Sequence, residues 1–414
     1  MPSTCHALHS GGRRSLLGVG FDTMNPVLER LGGYPLARFQ DLKAELAADG
    51  RPLHDFSIGD PIEPTPAFVR QALIDGVPEI SQYPTAAGLA DLRRAIAAWV
   101  RRRYGVVVDP DAHVLPTAGS KEAIFHFPLA VVDPASTART VVWGEPGYLV
   151  YERGTLFAGG RSDAVPLTAA GGWRLDLAGL AAERLERACI AWLNYPHNPT
   201  GAAVDLAYYR AQLAAARPHG LILASDECYG DIYADEAEPP PSLLQAAQDD
   251  LSGVVVAFSL SKRSGMTGYR CGALVGDPEL IAQQRTLRPN IGTASPEFVQ
   301  RAALAAWSDD EHAAERRGVF NAKRRLLLAF LTQRDFEVSG SDATFYLWVA
   351  APGGDDAAYA EALLGQRVIV SPGRAFGPSG HGWLRLALVP SIDGCRAAVE
   401  RWDEAIDAGL LPGH

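Results

Sequence analysis

Between residues 140 and 275 the chain carries four short runs that are apolar almost throughout: Thr140–Trp143, Cys189–Leu193, Leu221–Ala224 and Val254–Phe258. A strand with one wet face alternates in polarity, whereas a strand buried on both faces does not. Runs of four or five residues are too short for buried helices. Helical stretches such as 205–216 lie between some of them. The pattern predicts an α/β region built on a largely parallel sheet. Three of the runs end in polar residues: Asn194–Gly201, Asp226–Glu227 and Ser259–Lys262. Open α/β sheets bind ligands at the carboxyl ends of their strands, so chemistry is expected at that edge.

The flanking segments have a different texture. Leu89, Leu92, Ile96, Trp99 and Val100 recur at helical spacing. Arg93, Arg94, Arg101, Arg102 and Arg103 lie between and after them, and are expected to form a solvated face. From about residue 295 the pattern is helical (296–308 and 312–331). Short strands follow at Ala343–Val349, Val368–Val370 and Trp383–Leu388, then a last helix at 392–408. This predicts a second, α+β domain, with residues 24–70 and 293–414 in it and 71–292 in the larger one. Residues 1–23 are expected to be a loose extension, or to precede a start at Met24. Arg13–Phe21 faintly resembles a twin-arginine export signal, but its apolar part is short and no A-x-A-like cleavage site follows.

Composition excludes several classes. A length of 414 residues suits two or three domains, and 47% hydrophobic residues can fill a large core. The net charge of -10 disfavours nucleic acid and anionic membrane surfaces. No apolar run approaches the ~18 residues of a membrane span. The five cysteines, 5, 189, 228, 271 and 395, are odd in number and form no C-x-x-C pair. They predict a reduced, cytoplasmic compartment and no metal site. Cys228 and Cys271 are expected to be small buried filler.

Five motifs point to chemistry. Ser259-Leu260-Ser261-Lys262 puts a lysine behind a buried strand. Burial and nearby cations would lower its pKa and leave an amine able to form an imine. The serines, with Arg270, could hold a phosphate. Asp226 ends an apolar run, and a carboxylate there must be paired, for which a pyridinium nitrogen would serve; a helix N-cap is the plainer alternative. Asn194–Gly201 has two X-Pro steps, which fix Asn198 in an irregular turn; His197 within it is expected to be structural. Thr117–Ala123 opens a helix with Gly119 and Ser120, leaving backbone N–H groups for an anion. Arg385 is a single cation in an apolar strand, suited to a substrate carboxylate or to an internal salt bridge.

Together, and in this order, the motifs resemble the fold-type I, class I/II aminotransferases, from about Asn25 to the last helix. The resemblance implies a large domain with a mostly parallel seven-stranded sheet, a smaller α+β domain and pyridoxal 5'-phosphate as cofactor. Lys262 then matches the lysine that binds the cofactor and shuttles the proton. Asp226 matches the partner of its ring nitrogen. Asn198 and Tyr229 match residues that bond the ring hydroxyl, and Tyr148 the aromatic stacked on the ring. Gly119, Ser120, Ser259 and Arg270 match the phosphate cup, with Lys121 beside it and Ser261 a further cofactor-binding residue, and Ala118 stands where some members have a serine. Tyr83 matches a tyrosine reaching the phosphate of a neighbouring subunit, which implies a homodimer with active sites at the interface. Arg385 matches the arginine that binds the substrate α-carboxylate, assisted by Asn198 and Gly59.

Asp226–Tyr229, Ser259–Ser264, Tyr83–Leu89 and Met24–Leu28 with Tyr34-Pro35 look more narrowly like the N-succinyldiaminopimelate aminotransferases of lysine biosynthesis. That likeness implies 2-oxoglutarate as acceptor. Arg288 is a candidate for reading a succinyl carboxylate, with a surface position as the alternative. The competing expectations are transamination of aspartate, alanine or an aromatic amino acid, a C–S β-lyase on the same fold, and a regulatory domain that retains the fold.

Overall fold

The computed structural model describes residues 25–31, 43, 45, 46, 48, 50–248 and 250–413. The expected extension, Met24 and Tyr34-Pro35 lie outside them. In chain order the strands are β1 (His54–Asp55), β2 (Val114–Thr117), β3 (Thr140–Glu145), β4 (Arg161–Pro166), β5 (Ala188–Leu193), β6 (Ile222–Asp226), β7 (Val254–Ser259), β8 (Gly272–Gly276), β9 (Tyr346–Ala350), β10 (Val368–Ile369), β11 (Ser371–Pro372) and β12 (Trp383–Ala387). The four apolar runs are β3, β5, β6 and β7.

The large sheet has seven strands in the order β2-β8-β7-β6-β5-β3-β4. The pairs from β7 to β4 are parallel, and β8 runs antiparallel to both its neighbours. The absence of alternation in the sequence has a direct cause: both faces are covered. Val255 and Ala257 pack with Ile124, Phe127 and Tyr151 on one side. Val254, Val256 and Phe258 pack with Trp99, Tyr209 and Trp307 on the other. Burying such side chains contributes roughly 1.5–3 kcal/mol each.

A second core lies around the antiparallel sheet β11-β12-β9. Phe330, Tyr359, Leu384 and Trp402 belong to it, contributed partly by the helices Glu311–Gln333 and Ile392–Asp407. β1, from the N-terminal part, pairs in parallel with β10.

Two expectations change. The helix Glu297–Trp307, expected on the smaller domain, buries Val299, Ala302, Ala303, Ala306 and Trp307 in the core of the large sheet. Its apolar stripe meets that of the helix Ala90–Tyr104, with Trp99 and Trp307 ring centroids 4.4 Å apart. The arginines of Ala90–Tyr104 are not all a solvated face. Arg93 donates to Asp111 at 2.6 Å and to the Gly88 carbonyl at 2.6 Å, and half-buried Arg103 donates to Asp231 at 2.9 Å. These cations tie the helix to the loops beside it.

Candidate active site

Parallel strands deliver their carboxyl ends to one edge, and there a cavity of about 580 Å³ opens. Asn198 follows β5, Asp226 ends β6, Lys262 follows β7 and Tyr148 follows β3, and all four line it. β12, at the centre of the smaller sheet, adds Arg385, and the segment after β1 adds Ser57–Asp60. The motifs that sequence reasoning took one at a time therefore share one space.

Lys262 sits on the short helix Leu260–Arg263, whose first turn is capped by Ser259 Oγ accepting from the Ser261 N–H at 3.1 Å. The Lys262 ammonium donates to the Gly59 carbonyl and lies 5.4 Å from the centre of the Phe345 ring. Burial lowers its pKa to about 8, although Cys228 and Asp60 pull the other way. A side chain at 59 would place Cβ 2.2 Å from Tyr346 Oη, so only glycine lets the strap pass so close.

Asp226 is almost wholly buried. Its Oδ2 accepts from Tyr151 Oη at 2.9 Å and its Oδ1 from the Cys228 N–H at 3.3 Å. Burial raises its pKa to about 6, and the bonds from Tyr151 and Cys228 resist that rise. Asn194 ties the two strand ends together. Its Nδ2 donates to the Asp226 carbonyl at 2.7 Å, and its Oδ1 accepts from the Asn198 N–H at 3.0 Å. Tyr229 Oη pairs with Tyr346 Oη at 2.9 Å.

Arg385 lies between the rings of Tyr346 and Phe376, 4.4 and 4.3 Å from their centres. It donates to Asn198 Oδ1 at 3.0 Å and to the Ser57 carbonyl at 2.6 Å. Its Nε is buried with no partner among the described residues. A guanidinium held this firmly in the cavity wall suits an arriving anion.

The opposite corner is built from backbone. Gly119 (φ 85°) precedes the helix Ser120–Val131. A Cβ at 119 would lie 2.7 Å from Arg270 Nη2, so the glycine lets the guanidinium rest on the helix N-terminus. Arg270 itself adopts φ 58°, uncommon for a residue with a side chain. Lys121 lies nearby, its pKa lowered by burial and by the Arg153 and Arg270 charges. The Ala118 N–H is already taken by Glu122 at 2.9 Å, so it adds nothing to the backbone contacts expected at that turn.

Not every candidate is at the cavity. Tyr83 is fully exposed. Arg288 is neither a cavity residue nor a surface one. It is 2% exposed, donates to the Pro116 carbonyl and sits 3.5 Å from Glu122. It cannot reach a ligand in this cavity, whose cations are Lys121, Arg153, Lys262, Arg270 and Arg385. Cys228 is no mere filler, because it lines the cavity beside Asp226; Cys271 is buried in the core. His197 is buried, 2.7 Å from Thr200 Oγ1, with its pKa lowered to about 3. Sequence reasoning passed over Tyr151, Tyr346, Phe376, Arg153 and Asp60. Tyr151 had a signal: it stands three residues after Tyr148, one helical turn away. Among the described residues no three His, Cys, Asp or Glu side chains are grouped to hold a metal, and no helix is long and apolar enough to cross a membrane.

Residues 51–401 match the family of class I and II aminotransferases. The chain belongs to that family. An LL-diaminopimelate aminotransferase from Nitratidesulfovibrio vulgaris is 35% identical over 381 residues, which cover 90% of this chain and 97% of the relative. One of the same name from Aquifex aeolicus is 36% identical over 382 residues, with the same coverage. The crystal structure of an aminotransferase from Neisseria meningitidis superposes with a TM-score of 0.85 at 34% identity, covering 92% of this chain and 100% of the other. Class I and II aminotransferases use pyridoxal 5'-phosphate. The residues at the cavity fit that group. They offer a buried amine, a buried carboxylate for a ring cation, and a helix N-terminus backed by an arginine for a phosphate.

Proposed function

We propose that this aminotransferase exchanges an amino group between a diaminopimelate-type amino acid and a 2-oxo acid, with Lys262 as the residue that holds the cofactor. One observation carries the site assignment. The half-buried Lys262 amine and the buried Asp226 carboxylate line one cavity together with Arg385. When bound, pyridoxal phosphate supplies an aldehyde carbon for the amino group and a ring that draws electrons.

The remaining roles belong to the chain's own residues. With its pKa near 8, Lys262 supplies a neutral amine at modest cost and can take and return a proton at the substrate Cα. Asp226 is the counter-ion of the ring nitrogen. Asn198 Nδ2 and Tyr229 Oη serve the ring hydroxyl, and Tyr148 stacks on the ring. Gly119, Ser120, Lys121, Ser259, Ser261 and Arg270 hold the phosphate. Arg385 binds the α-carboxylate with Asn198 and Gly59 beside it. Tyr83, exposed on one protomer, reaches the partner's phosphate in a homodimer. The free cysteines suit work in the cytoplasm.

LL-diaminopimelate is the substrate that the names of the relatives favour. The N-succinyl derivative is the second reading, favoured by the Asp226–Tyr229 and Ser259–Ser264 motifs. Either has a carboxylate beyond the reacting end, and Arg153, a further cation of the cavity wall, is the candidate to meet it. A screen of donors against 2-oxoglutarate, with both compounds included, tests the proposal. Turnover of one of them over aspartate, alanine and aromatic amino acids is the expected outcome. Release of ammonia and pyruvate instead would favour a β-lyase. Borohydride treatment of the reconstituted protein should fix the cofactor to Lys262, and a Lys262→Ala protein that still traps it would defeat the assignment.

A further inference from the structure

We infer that Tyr151 is a positioning residue that keeps Asp226 ionised and thereby keeps the proton on the cofactor ring nitrogen, an inference that rests on the site reading above. Tyr151 lies on the helix Val150–Phe157 and is 2% exposed. Its hydroxyl donates to Asp226 Oδ2 at 2.9 Å, with both groups buried.

The phenol has little freedom to point elsewhere. Its ring stacks on Trp192 at 5.3 Å and 19°. Tyr148 meets it edge-on at 5.8 Å and 87°, and Trp143 lies tilted at 6.1 Å. Thr155 Oγ1 donates to the Tyr151 carbonyl at 2.7 Å and fixes its turn. Three aromatic neighbours are more than a filler position needs, and they aim one hydroxyl at one oxygen.

Burial and the Asp226 carboxylate push the Tyr151 phenol well above its usual pKa, so it stays a donor throughout the working range. A hydrogen bond to a carboxylate is roughly twice as strong as one between neutral groups. The other groups near Asp226 are the Cys228 N–H and thiol, and Tyr346. The Tyr151 bond is shorter than the one from the Cys228 N–H. Without it, a carboxyl already raised by burial would rise further and compete with the ring nitrogen for the proton. A neutral carboxyl no longer holds a ring cation.

The test uses full-length protein reconstituted with pyridoxal phosphate, as wild type, Tyr151→Phe, Tyr151→His, Asp226→Asn and the Tyr151→Phe/Asp226→Asn double variant. Cofactor affinity and the pH midpoint of the visible absorbance change are read beside kcat and KM. Tyr151→Phe should bind cofactor about tenfold more weakly, since a bond to a charged group is lost. Its absorbance midpoint should move up by about one unit, and kcat should fall while KM for the amino donor stays within about twofold. Tyr151→His, which retains a donor, should recover part of each effect. In the Asp226→Asn background the Tyr151→Phe change should nearly vanish, because the two groups act as one unit. A Tyr151→Phe protein that titrates and binds like wild type overturns the inference, as does an equal loss in both backgrounds. Should wild type itself trap no cofactor with borohydride, the site reading falls first. If Tyr151→Phe does not fold, Tyr151→His with and without Asp226→Asn carries the comparison, and a Tyr151→His effect of equal size in both backgrounds overturns the inference.

Discussion

Asp226 and Glu227 are neighbours at the end of one strand, yet they face opposite sides of the large sheet. Asp226 points to the side of Tyr151 and the cavity, and Glu227 to the side of Tyr104 and the interior. Arg385 and Arg288 make a second such pair. Both are buried and each has an Nε without a partner among the described residues, but Arg385 lines the cavity between two rings, whereas Arg288 lies behind it, bonded to the Pro116 carbonyl and beside Glu122. Residue type and burial alone do not separate a site residue from a structural one. What separates them is whether the side chain lines the space where a ligand can arrive, as Asp226 and Arg385 do and Glu227 and Arg288 do not.

Substitutions that act on one member of each pair test this contrast. Asp226→Asn keeps the shape and removes the charge, and should lower kcat by about 10³-fold while borohydride still links the cofactor to Lys262. Stopped-flow half-reactions would read it, and a loss below about tenfold would break the contrast at its strongest point. Arg385→Ala should come next. Truncating one partner of a buried charge pair costs about 2–5 kcal/mol, or about 30- to 5,000-fold in kcat/KM for the amino donor. Cofactor affinity should hardly change, because the phosphate corner is built from other elements.

How far the sequence foretold this depends on which physical signal carried each feature. The strands β3, β5, β6 and β7 were legible because burial on both faces abolishes alternation. Lys262, Asp226, Asn198 and Arg385 were legible as polar residues where an apolar run ends or is interrupted. Tyr151 was less so: its spacing from Tyr148 is a signal, but an aromatic at a helix start looks like core until its hydroxyl is seen to face a carboxylate. The fate of Arg288 was not, since its position on a helix says nothing of the Pro116 carbonyl more than 170 residues away in the chain. The placing of Glu297–Trp307 was missed for a similar reason. A helix displays its apolar stripe in the sequence, but not which of two cores receives it.

Arg288→Met sharpens the second pair from its structural side. It removes the donor to the Pro116 carbonyl and the cation beside Glu122, but Glu122 keeps His126 and the Ala118 N–H. The cost should therefore be nearer about 2 kcal/mol than the ~5 kcal/mol of a fully stranded charge. Thermal unfolding should show that loss, while kcat per folded active site stays within about twofold. A large rise in KM for a succinylated donor without loss of stability would restore Arg288 to the substrate and undo its pairing with Arg385 as the structural partner.

Glu227→Gln should give the smallest effect, and its pH dependence makes it informative. Burial raises the Glu227 pKa to about 7, against the bonds from Leu243 N–H and Ser225 Oγ. A carboxyl whose folded pKa exceeds its unfolded value contributes stability that is fully present below about 4.5 and is lost as pH rises to about 7. Glutamine does not titrate, so the variant lacks that decline. Its buried amide nitrogen takes the place of Oε2, which has no partner among the described residues, and this costs about 1–3 kcal/mol at every pH. The two terms nearly cancel near neutrality, so the variant should be the less stable protein at pH 5 and close to wild type at pH 8. Asp226 adds a slope of the same sign in cofactor-free protein, but it is common to both and drops out of the difference. Turnover should stay within about twofold, since Glu227 does not line the cavity. A Glu227→Gln protein that loses activity as Asp226→Asn does would show that both faces of the strand serve the reaction, and the contrast between the two neighbouring carboxylates would fail.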